Sequence, residues 1–379
     1  MKKQQKICVR CVMDDTDPGI SFDVNGLCDY CRNFDNTILP NWDNKEGNDI
    51  ALTALSKKIK KSAKNREFDC IIGLSGGLDS SYAAHVVVRK MGLKPLLLHV
   101  DAGWNTEVAV SNIEKIVDGL SADLYTEVID WRSVQKMQTA FLRSGIADQD
   151  LVQDAAFFSS LYKFARRHRV KHIITGSNFS TECCREPEAW GGYLGVDTWL
   201  FKDIWRKHGE GTLGDFPILD IFVYKLVYQY FLGMRVHSPL NFVRYNKKEA
   251  EEELSSLYGW EPFQHKHHES RFTRFFEDFW LPVRFGYDKR KAHFSSLILT
   301  GQMSRSAALA RLAKPELTAS FLEKEFSYVA RKLNLTDAEL DRLLTQPLKY
   351  YTHYSNKRWM VALGAKLLRS MGVEKRYFR

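Results

Sequence analysis

The apolar run Cys70-Ile71-Ile72-Gly73-Leu74 passes without a break into Ser75-Gly76-Gly77-Leu78-Asp79-Ser80-Ser81, where a helical pattern begins. A strand delivered into a glycine pair that opens a helix is a corner built for an anion. The glycines let the backbone approach closely, and the helix N-terminus points its amide groups and positive dipole end outward. Ser75, Ser80 and Ser81 add hydroxyl donors, and Asp79 is useful beside phosphate only if it holds Mg²⁺ or orients the loop. No G-x4-G-K-[ST] sequence occurs at this corner, so it is not a Walker A loop. A serine-capped helix after a Gly-Gly turn would use the same residues without any ligand.

The surrounding pattern extends the constraint to the fold. Strand-like runs at 68–74, 95–100, 124–129 and 171–175 alternate with helical stretches at 80–91, 107–120 and 154–168. Such alternation implies βαβ units and an α/β domain with a parallel sheet covered by helices on both faces. With 379 residues, at roughly 100–200 residues per domain, three parts are expected: 1–45, 46–236 and a mainly helical 237–379. The apolar window 216–234 is interrupted by Asp220, Lys225 and Gln229, so it suits a buried or amphipathic helix, not a membrane span. Arg10 follows Ile7-Cys8-Val9 at once, so no apolar leader forms and a cytoplasmic location is expected. A reducing compartment leaves the seven cysteines needing an explanation other than disulfides.

Four of them have one. Cys8, Cys11, Cys28 and Cys31 form C-x2-C-x16-C-x2-C, a spacing in which two tight turns each offer two thiolates to a tetrahedral Zn²⁺. Four protein ligands leave no open position, so the expected zinc is structural. An iron–sulfur cluster is the rival occupant. Cys70 sits within a strand and Cys183-Cys184 is a lone vicinal pair, and none has the setting of a glutaminase nucleophile. A chain that amidates would have to take its ammonia from elsewhere.

The S-G-G-x-D-S sequence after a strand resembles the pyrophosphatase-loop (PP-loop) ATPases. In that family the loop grips the pyrophosphate of ATP, and attack on the α-phosphorus makes an adenylated intermediate. The resemblance implies that the end of the second strand, at Val100 and Asp101, receives the adenosine. Gly176-Ser177-Asn178-Phe179-Ser180-Thr181-Glu182 is similar to the G-T-x-N-x-S-E segment of NAD synthetases, whose last glutamate binds magnesium. Asn178 and Ser180 each stand one place early. By this likeness Gly176 and Ser177 contact the nucleotide, and Asp79 and Glu182 hold Mg²⁺.

The densest polar run is Gln264-His265-Lys266-His267-His268-Glu269-Ser270-Arg271-Phe272-Thr273-Arg274. Arg271 and Arg274 are i, i+3 on a helix and could clamp a diphosphate or carboxylate from one face. His267 or Glu269 could serve as general base toward ammonia, although a solvated helix face would look the same. The balance of 55 Lys and Arg against 46 Asp and Glu, a net +9, asks for an anionic partner: a nucleotide, a nucleic acid or an acidic sugar phosphate.

The four-cysteine ribbon, the S-G-G-L-D-S-S and G-S-N-F-S-T-E segments, K-H-x-E-S-R-F-T-R-F, and the block from Asp288-Lys289-Arg290 to Gly301-Gln302-Met303-Ser304-Arg305 together resemble the N-acetyl sugar amidotransferases. The WbpG-type enzymes of lipopolysaccharide O-antigen synthesis belong to that family. What the resemblance implies is adenylation of an acetamido carbonyl on a UDP-linked diacetamido uronic acid and displacement of AMP by ammonia to give an acetamidine. It implies ATP and Mg²⁺, substrate contacts at Lys266, Arg271 and Arg274, and ammonia supplied by a separate glutaminase and a cyclase-like channelling protein. A tRNA-modifying PP-loop enzyme is the alternative, with nucleic acid the second choice for the basic balance.

Overall fold

The computed structural model describes residues 5–42, 48–190, 193, 195–264 and 266–370. The expected boundary at 45/46 and His265 lie outside the described residues.

Five parallel strands form one sheet in the order β3-β2-β1-β4-β5, with β1 Cys70–Gly73, β2 Pro95–Asp101, β3 Asp123–Val128, β4 His172–Ile174 and β5 Arg235–His237. Ile71 lies opposite Leu96 on one side and Ile173 on the other. Both β1 and β4 are covered on both faces, which is why they read as unbroken apolar runs. The fifth strand is absent from the pattern of apolar runs because Arg235-Val236-His237 is a short edge segment with an exposed valine. The proposed division between 236 and 237 falls inside it.

The helices follow the expected alternation with small shifts at their ends. Leu78–His85 continues through the π-turn Val86–Lys90, and Glu107–Leu120 starts on Thr106, whose hydroxyl accepts the Ala109 amide at 3.2 Å. Leu151–Arg167 covers the sheet face at Ile71, Leu96, Leu98 and Ile173. On the other face Lys247–Tyr258, from the C-terminal third of the chain, packs through Ala250 and Leu254 into the core of Ile72, Leu97 and Ile113. The α/β body therefore draws its last helix from beyond 237. Val223–Phe231 is a π-helix that buries Tyr228 and leaves Leu226, Tyr230 and Phe231 exposed, so it is neither the buried helix nor the polar-outward amphipathic one expected of this window. Among the described residues no helix is long and apolar enough to cross a membrane.

From Ser270 to Ser370 the chain is mainly helical, with Arg271–Phe275, Arg290–Leu299, Arg305–Leu312, Ala319–Lys332, Asp337–Thr345 and Arg358–Ser370 as its main segments. Phe272, Phe275, Phe276 and Trp280 fuse it to the α/β body through Trp104. The N-terminal ribbon docks on this region. Its Val12 amide donates to Ser295 Oγ at 3.2 Å, Asp14 pairs with Lys291, and Arg305 Nη2 donates to the Cys8 carbonyl at 2.8 Å. Its core is shared with Cys183, Cys184, Trp190 and Ala292.

Candidate active site

In the observed order the strands are added outward in opposite directions from β1 and β4, and ligands in open parallel sheets bind beyond the carboxyl ends of the strands at such a switch point. Both loops singled out in the sequence emerge there. Gly76 has φ +83°, and a Cβ on it would come within 2.4 Å of the Ala109 carbonyl. A Cβ on Gly176 would come within 2.6 Å of the Asp79 backbone. The β4 loop thus rests directly on the first turn of the Leu78–His85 helix, and only glycine permits that approach. Within the first loop the Ser75 amide donates to Ser80 Oγ at 3.2 Å and the Gly77 amide to Ser75 Oγ at 3.2 Å. Gly77 leaves the helix start without a side-chain cap.

A cavity of about 1100 Å³ opens over these loops. Of the expected nucleotide contacts, Ser75, Gly77, Leu78, Asp79, Ser80, Val100, Gly176 and Ser177 line it. Gly76, Ser81 and Asp101 are outside its lining. The Gly76 carbonyl accepts the Trp260 indole N–H at 3.1 Å, Ser81 is fully buried behind the helix, and Asp101 accepts the Gly103 amide at 2.7 Å and Asn105 Nδ2 at 3.1 Å. These three shape the corner without facing it.

Residues 266–269 bring the C-terminal third to the same corner. Lys266 Nζ lies 2.5 Å from Glu182 Oε1 and 3.4 Å from Asp79 Oδ2, so one ammonium bridges the two carboxylates expected to hold magnesium. Asp79 Oδ1 also accepts Tyr245 OH at 2.5 Å and Asn178 Nδ2 at 3.3 Å. Burial works against the charge on Lys266, but Glu182 and Asp79 outweigh it and hold the ammonium charged. Burial likewise raises the Glu182 pKa while Lys266 pulls it further down, below the usual range. Glu269 lies against Gly77 and accepts Ser75 Oγ at 3.3 Å.

Two expectations meet a different geometry. Arg271 and Arg274 do not line the cavity. Arg271 Nη2 lies 2.7 Å and Arg274 Nη2 3.0 Å from the buried Glu325, and their guanidiniums stack on Tyr328 and Phe321 at 3.4 and 4.7 Å. The i, i+3 clamp exists, but its anion is the protein's own carboxylate. His267 does line the cavity, and its Nδ1 is 3.1 Å from both oxygens of Glu277. Burial disfavours the imidazolium, but Glu277 raises the pKa to about 9, so near neutrality His267 is a cation and not a base. Its ring is 41% exposed, but to the cavity.

Sequence reading missed several groups. Asp148, Asp150 and Asp154 flank the start of the Leu151–Arg167 helix and face the cavity. Burial pushes Asp148 up to about 7 against the pull of Lys289. Lys289 Nζ joins Glu186 at 3.0 Å to Glu277 at 3.2 Å. His293 lines the cavity too, and burial with Lys266, Lys247 and His267 nearby keeps it neutral. Three carboxylates around one helix start were the available signal for the first group. Lys289 stood in the basic Asp288-Lys289-Arg290 block without a role and His293 offered no signal, because their neighbours come from distant segments.

The four ribbon sulfurs converge. Cys8 to Cys31, Cys11 to Cys28 and Cys28 to Cys31 are 3.7, 3.5 and 3.6 Å apart, and all four lie within 4.8 Å of one another. Tetrahedral Zn–S bonds of about 2.3 Å put sulfurs about 3.8 Å apart, so these residues fit a tetrathiolate metal.

Residues 269–368 match the family described as LPS biosynthesis protein WbpG-like, C-terminal domain. No curated protein matches the chain. Among solved structures it is similar to the NH3-dependent NAD synthetase of Campylobacter jejuni subsp. jejuni in complex with nitrate, at 18% identity and TM-score 0.27, over 35% of this chain and 58% of that one. The chain therefore spans less than two thirds of that structure. It is also similar to the NMN synthetase of Francisella tularensis, at 16% identity and TM-score 0.29, over 79% of this chain and 98% of that one. Overlaps this loose carry no weight beside the strand order and the loops. The chain is a parallel-sheet α/β protein with a four-cysteine cluster near its N-terminus, and its residues 269–368 match the WbpG-like C-terminal domain.

Proposed function

We propose that the chain is an ATP-dependent amidotransferase that acts on an N-acetylated, UDP-linked sugar acid in lipopolysaccharide synthesis. One observation carries this reading: the segment that matches the WbpG-like domain begins at Glu269, and Glu269 touches the phosphate loop at Ser75 and Gly77. In the proposed reaction the substrate amide oxygen attacks the α-phosphorus of ATP and pyrophosphate leaves. Ammonia then adds to the activated carbon, loses a proton, and AMP departs with the C–O bonding pair to leave the acetamidine.

The chain's share is positioning and charge neutralisation. The Ser75–Ser80 loop receives the departing pyrophosphate, with Lys266 as the fixed positive charge beside it. Asp79 and Glu182 would hold Mg²⁺, which supplies further neutralisation of the phosphates. Glu269 is the carboxylate placed to take the proton from the adding ammonia. His267, already protonated, stabilises negative charge instead. The four ribbon cysteines would hold a structural Zn²⁺. Cys70, Cys183 and Cys184 are buried, and burial raises Cys70 while Cys183 and burial raise Cys184, away from the thiolate a glutaminase needs. That supports ammonia from a separate glutaminase and channelling partner.

ATP–pyrophosphate exchange, screened against UDP-diacetamido sugar acids with and without ammonium, tests the reading. Exchange dependent on the sugar, with acetamidine formed only when ammonium is present, is expected. Pyrophosphate release stimulated by tRNA and indifferent to UDP-sugars overturns it.

A further inference from the structure

Beside the phosphate-loop cavity lies a smaller chamber of about 410 Å³, within the size range of small-ligand sites. The two share ten lining residues, among them Glu182, Lys266, His267 and His293, so a group held in one lies next to a group held in the other. Their balances of acidic and basic groups differ. The larger cavity is lined by nine carboxylates against four lysines and arginines, the smaller by six lysines and arginines against four carboxylates. His267, protonated near neutrality, adds a further positive charge at the shared corner.

The side chains that line only the smaller chamber sharpen the contrast. Three are arginines, Arg185, Arg290 and Arg311, and one is a carboxylate, Asp278. Asp278 lies 2.8 Å from His268 Nε2. Arg290 is committed to the wall, with Nη2 on Asp288 at 2.7 Å and Nη1 on Glu316 at 2.9 Å. Arg311 lies over the Phe294 ring at 4.7 Å, and its Nη2 stands 3.7 Å from Glu316. Arg185 is exposed on the chamber wall. A cleft lined by one sign of charge concentrates ligands of the other sign, and guanidiniums suit phosphate and carboxylate oxygens. The acidic cavity repels a second anion beside the ATP phosphates, whereas this chamber attracts one.

We propose that the smaller chamber is an anion subsite for the phosphate- or carboxylate-bearing end of the second substrate, with Arg185 and Arg311 as its contacts. This rests on the reading of that substrate as an acidic sugar nucleotide. The subsite holds the anion at the shared corner, so that the amide to be activated reaches across to the phosphate loop.

Calorimetric titration of the full chain with UDP, with a free hexuronate and with ATP-Mg²⁺, in the wild type and in R185Q and R311Q, tests it. Loss of a charge-assisted contact weakens binding by about tenfold or more. The expected result is that UDP or hexuronate affinity falls by that factor in each variant while ATP affinity moves less than about twofold. The ligand whose affinity falls identifies the diphosphate or the carboxylate as the group held. ATP binding is also the folding control. Absence of UDP and hexuronate binding in a chain that binds ATP overturns the subsite, as does equal weakening of ATP and UDP in both variants. The two readings fail separately. Arginine-dependent UDP binding without turnover of any UDP-sugar keeps the subsite and removes the amidotransferase reading. Turnover of a UDP-diacetamido sugar with KM unchanged in both variants does the reverse.

Discussion

Lys266 to Glu269 and Arg271 to Arg274 are neighbouring halves of one charged run, and the fold uses them in opposite ways. The first half points its charges into the cavity, where Lys266 spans Asp79 and Glu182 and Glu269 meets the glycine loop at Ser75. The second half begins a helix on Ser270, whose hydroxyl accepts the Thr273 amide at 3.3 Å, and its two arginines close on Glu325. Charge density alone does not distinguish a site from a clasp. What decides is where the counter-charge stands: Asp79, Glu182 and Glu277, which pair with Lys266 and His267, line the cavity, whereas Glu325 on the helix Ala319–Lys332 holds the two arginines outside it.

This contrast makes separable predictions. The largest effect is expected at Lys266. Its replacement by methionine should lower ATP–pyrophosphate exchange by about 10²-fold, the scale of losing one preorganised electrostatic contact. Wild-type exchange in Lys266→Met would erase the distinction between the halves. Next is Glu325→Ala, which leaves two guanidiniums without their buried partner and should cost about 3 kcal/mol of stability. Urea denaturation measures that cost, and exchange by the folded protein should stay within twofold. If exchange collapses while stability holds, the second half is part of the site after all.

A smaller effect is expected from Arg271→Lys, which breaks the paired Nε–Oε1 and Nη2–Oε2 contacts at 3.1 and 2.7 Å. About 1.5 kcal/mol should be lost, because an ammonium cannot reproduce the fork. The smallest, because the His267 side chain is 41% exposed and solvent screens its pairing, is a pH dependence from the first half. The folded pKa of His267, at about 9, lies above its unfolded value of about 6.5. The stabilisation is therefore full below about pH 6.5 and is lost as the pH rises through about 9. Melting temperatures of the wild type should decline over that window more steeply than those of His267→Gln. Parallel profiles would show that Glu277 does not hold the proton there.

Much of the α/β body was legible because its signals are local. β1, β2 and β4 are apolar runs bounded by turns, and Gly76 and Gly176 stand where backbone must meet backbone. The short edge strand β5 was not legible, since its pairing with β4 comes from position in the sheet and not from its own residues. Nor was the helix Lys247–Tyr258 assignable to the sheet, because an amphipathic pattern names a buried face without naming what covers it.

The candidate site divides in the same way. The sequence by itself determined the glycine turn at Ser75–Ser81 and the four-cysteine cluster, because every group each needs lies within a few residues of a turn. The tertiary structure alone decided that Lys266 bridges Asp79 and Glu182, that Glu325 occupies Arg271 and Arg274, and that Glu277 keeps His267 protonated. Each of these depends on a partner distant in sequence or on the side of a helix that faces it. The state of a charge is set by the nearest opposite charge and the water it has lost, and both are properties of packing.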